Sequence, residues 1–257
     1  MDNLLVGILG GCGPWATIDI EAEILSQWKS RVTIKREQDF LPLVVYNYSK
    51  FNDRNTEIYE HKNDLYEEYL KAISKMRDIG VNLFVLACNT AHFYLDRIVA
   101  RYNVPFISII DSVVSYFKLA FPSVSKVGLL ATKATSELGI YSSAFLPGGV
   151  EVSVPSKEGI EEVMKVIYEI KICSDRGDVV NVTGSCKHFR QDFAERLRGP
   201  IQEILDKGCH HIILGCTELP LVMSCLREVF PKVEFINPNE IIASDLVSFV
   251  LASYGGE

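Results

Sequence analysis

No apolar run in this chain approaches the length of a membrane span; the longest, such as LFVLAC (83–88) and HIILGC (211–216), are strand-sized. Positive charge is also in short supply. Twenty-six Lys and Arg face 33 Asp and Glu, a net charge of −7, which is the wrong balance for neutralising nucleic-acid phosphates. Regular cysteine spacing is missing too: the seven cysteines form no C-x-x-C pair. In a chain of this size that argues against a disulfide framework and for a reducing, cytoplasmic home. The opening MDNLLVGILGG has no basic stretch, so it reads as a first strand and not as a signal peptide. Membrane and nucleic-acid partners are therefore not expected, and a small molecule is.

What is present is a globular composition, 48% apolar and 23% charged, over 257 residues, a length that suits two lobes. Strand-like runs at 4–9, 40–47, 83–88, 104–109, 126–132, 150–155, 211–216 and 233–237 alternate with helical patterns. The helices are expected over 17–29, 55–79, 91–101, 111–121, 137–145, 160–172, 190–207, 219–229 and 239–253. Short, continuously apolar strands between helices predict an α/β fold whose parallel sheets are covered on both faces. Residues 1–117, with 239–257 returning as a C-terminal helix, are expected to form one lobe and 118–238 the other.

An internal repeat supports two lobes. GVNLFVLACNT (Gly80–Thr90) aligns without gaps to GCHHIILGCTE (Gly208–Glu218) at an offset of 128. In each copy a glycine precedes by eight residues a cysteine that closes an apolar strand, Cys88 or Cys216. Ligands of open parallel sheets bind outside the carboxyl ends of the strands, so two facing lobes would bring both cysteines to one cleft. A helix start after each cysteine would offer free N–H groups, which favour a thiolate and a bound carboxylate.

Other motifs compete for attention. Gly11, Gly13 and Ala16 fit a dinucleotide fingerprint, but the second strand ends in the neutral Asn47 where an acidic residue is required. Cys209, His210, His211 and Cys216 are close in sequence, yet strand alternation would put them on two faces, so no metal site is expected. Cys173, Cys186, Cys209 and Cys225 read as structural, and His92 as a capping or packing residue. Asp53 and Arg54, in YNYSKFNDRNTE (46–57), admit two readings: a solvated turn starting a helix, or an arginine clamp for a carboxylate.

Taken together, GILGGCGPWAT (7–17), LACNTAH (86–92), GLLATKAT (128–135) and LGCTELPL (214–221) resemble the pyridoxal-phosphate-independent aspartate/glutamate racemases. NDRN (52–55) and VIYEIKICSDRG (166–177) resemble two looser segments of that family. The resemblance implies two pseudo-symmetric flavodoxin-like lobes around an active-site cleft, a homodimer, and no cofactor. It implies that Cys88 and Cys216 transfer the protons, with Cys216 acting on the L- and Cys88 on the D-substrate. Asn89, Thr90, Thr132, Thr135, Thr217 and Glu218 would then line the α-amino and α-carboxylate region. Arg54 and Lys171 would hold carboxylates, and Gly11 and Cys12 would shape a substrate-contacting loop. Cys12 and Trp15 depart from the family's usual turn, GGMGP followed by a small apolar residue, and FNDRN departs from I-P-D-R-T. The connector 173–190 is long enough to form a lid.

Racemisation removes an α-proton from one face and returns one to the other, so two acid/base groups on opposite walls suit it. An acidic amino acid is the expected substrate. Decarboxylation, cis–trans isomerisation of a diacid, hydantoin racemisation, and amino-acid binding without turnover are the alternatives.

Overall fold

The computed structural model describes residues 3–60, 64–174 and 187–254. The connector 173–190, including Cys186, lies largely outside them. Among the described residues eight strands form two four-stranded sheets, and every strand pair is parallel. The first sheet holds β1 (Val6–Gly10), β2 (Leu43–Asn47), β3 (Leu83–Leu86) and β4 (Phe106–Ile107) in the order β2-β1-β3-β4. The second holds β5 (Lys126–Ala131), β6 (Glu151–Ser153), β7 (His211–Gly215) and β8 (Glu234–Ile236) in the matching order β6-β5-β7-β8. This is the flavodoxin-like winding, used twice. The central strands β1 and β3 are buried along their whole length, and β5 and β7 along nearly all of theirs, as strands covered on both faces must be.

The helices are α1 (Pro14–Arg31), α2 (Arg54–Tyr59), α3 (Asp64–Asp78), α4 (Leu95–Tyr102), α5 (Ile109–Ala120) and α6 (Lys133–Glu137). After them come α7 (Ile140–Phe145), α8 (Lys157–Cys173), α9 (Lys187–Arg196), α10 (Arg198–Asp206), α11 (Met223–Val229) and α12 (Pro238–Tyr254). Their starts follow local chemistry. Asp53, Ser108, Thr132 and Ser156 cap α2, α5, α6 and α8 by accepting a backbone N–H three residues on. Pro14 opens α1, where its missing N–H costs nothing.

Three apolar clusters knit the molecule. One joins the facing sides of both sheets through α1, α5, α7 and α12, with Trp28, Phe117, Tyr141 and Phe145 among its largest members. The other two lie on the outer faces, under α3 and α4 in the first half and under α8 to α11 in the second. The last helix, α12, packs on α1 and α5. Among the described residues no helix is long and apolar enough to cross a membrane.

Candidate active site

Cys88 and Cys216 occupy equivalent places, just beyond the carboxyl ends of β3 and β7. Each backbone N–H folds back onto the strand, Cys88 to the Leu86 carbonyl at 2.8 Å and Cys216 to the Leu214 carbonyl at 2.9 Å. The chain then runs into a 3₁₀ turn, Thr90–Tyr94 or Leu219–Val222, before α4 or α11 begins. The helices expected from residues 91 and 219 therefore begin later, at Leu95 and Met223. Both thiols are buried and sit well above the ordinary cysteine range. The interaction with Cys12 and burial raise Cys88, while burial and the Glu218 carboxylate raise Cys216.

The residues after these cysteines tie the halves together. Thr90 Oγ1 lies 2.8 Å from Thr132 Oγ1 and 3.0 Å from Thr135 Oγ1, and the latter two are 3.0 Å apart, closing a triangle of hydroxyls. Tyr141 donates to Asn89 Oδ1 at 2.6 Å, leaving Asn89 Nδ2 buried without a partner. His92 accepts the Ile109 N–H at Nε2 (3.2 Å), so its Nδ1 carries the proton donated to the Cys88 carbonyl at 2.8 Å. Burial keeps that imidazole below its usual pKa, in line with a neutral, structural ring.

On the second wall Glu218 Oε2 accepts hydrogen bonds from the Cys216 thiol at 2.8 Å and the Thr217 hydroxyl at 3.2 Å. Its Oε1 is buried, accepts no hydrogen bond, and lies 3.9 Å from Lys171 Nζ. Burial works against the Lys171 charge, yet Glu218 and the thiols outweigh it and hold the ammonium above its ordinary value. Lys171 comes from the end of α8, and its positive charge opposes the upward shift of both Cys88 and Cys216.

The opening glycine turn reaches the same place. Thr17 accepts the Gly11 N–H and donates to the Gly13 carbonyl, both at 3.0 Å, pinning the loop from inside α1. Gly13 abuts Glu218 so closely that a β-carbon there would overlap Oε1. Between the glycines Cys12 is buried, with its sulfur 3.5 Å from Tyr69 Oη, in the same apolar cluster as Cys88.

Arg54 is not solvated. Its guanidinium is buried and donates to the carbonyls of Cys12 (2.9 Å) and Asn52 (3.1 Å), while Asp53 performs the N-cap. Burial opposes the Arg54 charge, but Cys12, Cys88, Tyr69 and Asp53 reinforce it. The adjoining loop is fastened to the second half: Tyr168 donates to Asp53 at 2.8 Å, the Ala134 N–H to Asn55 at 2.9 Å, and Tyr59 to Glu137.

Gly11, Cys12, Arg54, Cys88, Asn89, Thr90, Thr132, Thr135, Lys171, Cys216, Thr217 and Glu218 thus converge around one closed junction. Tyr69, Tyr141 and Thr17 belong to it as well, and sequence reasoning missed them. Tyr69 reads as part of the apolar face of α3, between Leu65 and Ile73, and nothing in its spacing marks it. Among the described residues no three His, Cys, Asp or Glu side chains are grouped to hold a metal ion.

Comparison with known proteins places this geometry. The family profile described as Asp/Glu/Hydantoin racemase matches residues 9–246. The broad specificity amino-acid racemase RacX of Bacillus subtilis (strain 168) is 23% identical over 252 residues, 96% of this chain and 99% of that protein. Among solved structures, the Picrophilus torridus aspartate racemase is similar with a TM-score of 0.72 at 25% identity, covering 96% of this chain and 94% of that one. A glutamate racemase from Francisella tularensis, in complex with D-glutamate, shares the fold with a TM-score of 0.64 at 18% identity, covering 98% and 82%.

Proposed function

Because the chain belongs to the Asp/Glu/Hydantoin racemase family, we propose that it interconverts the L- and D-forms of an acidic amino acid, aspartate or glutamate. Cys88 and Cys216 are the two proton-transfer groups, and the reaction proceeds without pyridoxal phosphate. One observation carries the reading: two buried cysteines follow the equivalent strands of two sheets of identical order.

The substrate α-carboxylate takes the place of the hydroxyl contacts among Thr90, Thr132 and Thr135, which can turn their protons outward to receive it. Glu218 Oε1 and the Asn89 carbonyl oxygen are acceptors for the α-ammonium. Lys171 and Arg54 supply positive charge for the side-chain carboxylate and for the negative charge that develops at the α-carbon. In the L-to-D direction Cys216 takes the α-proton while Cys88 delivers one to the opposite face. In the reverse direction the roles exchange. The names of the aspartate and glutamate racemase relatives support the acidic preference, and the broad specificity relative widens the range of amino acids to screen.

The test is chiral chromatography of the pure protein with each enantiomer in heavy water. Cys88→Ala and Cys216→Ala are each expected to lose inversion by several orders of magnitude. Each should still exchange the α-hydrogen of the one enantiomer that faces its remaining thiol. Their losses should not add, because the two thiols act as a unit. Full racemisation by either variant overturns the two-thiol reading, and release of carbon dioxide or isomerisation of a diacid overturns the reaction class.

A further inference from the structure

Asn89 lies in the chain between Cys88 and Thr90 of the hydroxyl triangle, and is only 2% exposed. Its amide has an acceptor edge, the oxygen, and a donor edge, the two N–H groups. The oxygen is engaged, since Tyr141 Oη donates to it at 2.6 Å. The nitrogen is equally buried and has no partner. A buried donor left unpaired is costly, so this one marks where the acceptor of a ligand belongs.

Tyr141 decides which edge of the amide is left free. Among the described residues its hydroxyl has no other hydrogen-bond partner. With the amide turned over, N–H₂ would meet that hydroxyl and the phenolic proton would have no acceptor. Burial, reinforced by the Cys216 charge, holds the phenol well above its usual range, so the proton stays in place. The ring is fixed as well. Tyr141 is fully buried on α7, in the inner cluster with Phe117, and stacks on Phe145 at 6.5 Å and 25°.

We propose that Tyr141 is a positioning residue that fixes the polarity of Asn89, so that the amide N–H₂ is held ready to donate to the α-carboxylate of a bound amino acid. This deepens the proposed function and rests on reading the junction as an amino-acid site.

An α-amino acid carries a carboxylate and an ammonium on one carbon, two neighbouring groups of opposite polarity, as the two edges of a primary amide are. In the fixed orientation the nitrogen meets the carboxylate, and the second lone pair of the oxygen remains for the ammonium. Turned over, the amide would set donor against ammonium and acceptor against carboxylate. Tyr141 excludes that arrangement before the substrate arrives, and does so from the second half of the chain while Asn89 belongs to the first.

The experiment measures binding of racemic aspartate and of racemic glutamate by titration calorimetry, with steady-state kinetics beside it. The proteins are wild type, Tyr141→Phe, Asn89→Ala, the Tyr141→Phe/Asn89→Ala double variant, and Asn89→Asp. Tyr141→Phe keeps the ring and its packing. It is expected to raise Kd and KM about tenfold, the scale of one lost hydrogen bond. The change in kcat should be smaller, because the contact is made before the α-proton leaves. In the Asn89→Ala background the same substitution should move Kd by less than about twofold, since the two side chains act as one unit. Asn89→Asp still accepts from Tyr141 but has no N–H. It should bind more weakly than Asn89→Ala, its second oxygen being held against the substrate carboxylate. Wild-type binding by Tyr141→Phe, an equal loss in both backgrounds, or tighter binding by Asn89→Asp than by Asn89→Ala overturns the proposal. Binding without inversion in the wild-type protein counts against the racemase reading alone, and binding of neither amino acid overturns both.

Discussion

Arg54 gives its guanidinium to two backbone carbonyls, 42 and two residues away in sequence, and so ties the glycine turn to the loop before α2. Replacing it by leucine would leave those carbonyls unpaired and remove the cation beside Cys12. Arg54→Leu is expected to lower kcat/KM for aspartate or glutamate by an amount worth about 2–5 kcal/mol, the range for truncating a desolvated charged contact. Arg54→Lys should recover only part of it, since an ammonium cannot serve both carbonyls as the planar fork does. Steady-state kinetics beside a thermal melt separate the two effects, and unchanged kinetics for every acidic substrate would remove Arg54 from the site. At this scale the sequence is an uneven guide. Cys88 and Cys216 stand out because a repeat displays them in matched positions. The contact of Cys12 with Tyr69 joins the glycine turn to α3 across 57 residues, and no local spacing encodes it. Nor does sequence show that the helix starts lie too far on to govern the thiols, leaving burial and neighbouring side chains to do so.

The central strands β1, β3, β5 and β7 are legible in the sequence because a parallel strand buried on both faces must be continuously apolar. The partly exposed edge strands β2, β4, β6 and β8 are legible as short apolar runs between helical patterns. The helix boundaries are less so. The pattern at 190–207 reads as one helix, but the chain breaks at Leu197 between α9 and α10. Pro200 explains it: its ring would clash with the carbonyl four residues back if the helix ran through. The stretch predicted as a helix over 137–145 is likewise interrupted at Gly139, and α6 begins earlier, at Lys133. The strand-to-helix turn after β1 carries its own constraint. Gly11 has φ +97°, and a β-carbon on it would run into the backbone of Tyr48. Gly11→Ala is expected to cost about 2–3 kcal/mol, a fall of roughly 5–10 °C in melting temperature for a chain of this size. Activity should drop further, because Cys12 rides on that turn. A calorimetric scan that matches wild type would show the turn to be more pliant than its packing implies.

Across the whole molecule the two halves are joined by a shared core and by polar ties around the junction, and the site residues are buried behind them. One tie reaches back into the fold: Asn239, at the start of α12, donates to Asp19 on α1 at 2.8 Å and to the Thr217 carbonyl at 3.0 Å. Burial raises Asp19 to about 6, against the smaller opposing pull of that hydrogen bond. A carboxyl raised in the folded state contributes stability that is full below its unfolded pKa, 3.8 here, and is lost as pH climbs through about 6. The amount is about 2 kcal/mol, allowing for its partial exposure. Melting temperatures measured from pH 4 to 8 should therefore show Asp19→Asn gaining on wild type as pH rises, and parallel curves would exclude Asp19 as the cause. The inequality of the two walls, a carboxylate hydrogen-bonded to the Cys216 thiol on one and a second buried cysteine in the apolar cluster of Cys88 on the other, has a consequence of a different kind. Mirror-image amino acids have equal free energies in water, so a racemase cannot shift their equilibrium ratio from one. Its kcat/KM must be the same in both directions. Built-in lopsidedness can change kcat only with a matching change in KM. The handedness of the resting site is therefore silent when substrate is scarce and shows itself only at saturation, as unequal occupancy by the two enantiomers.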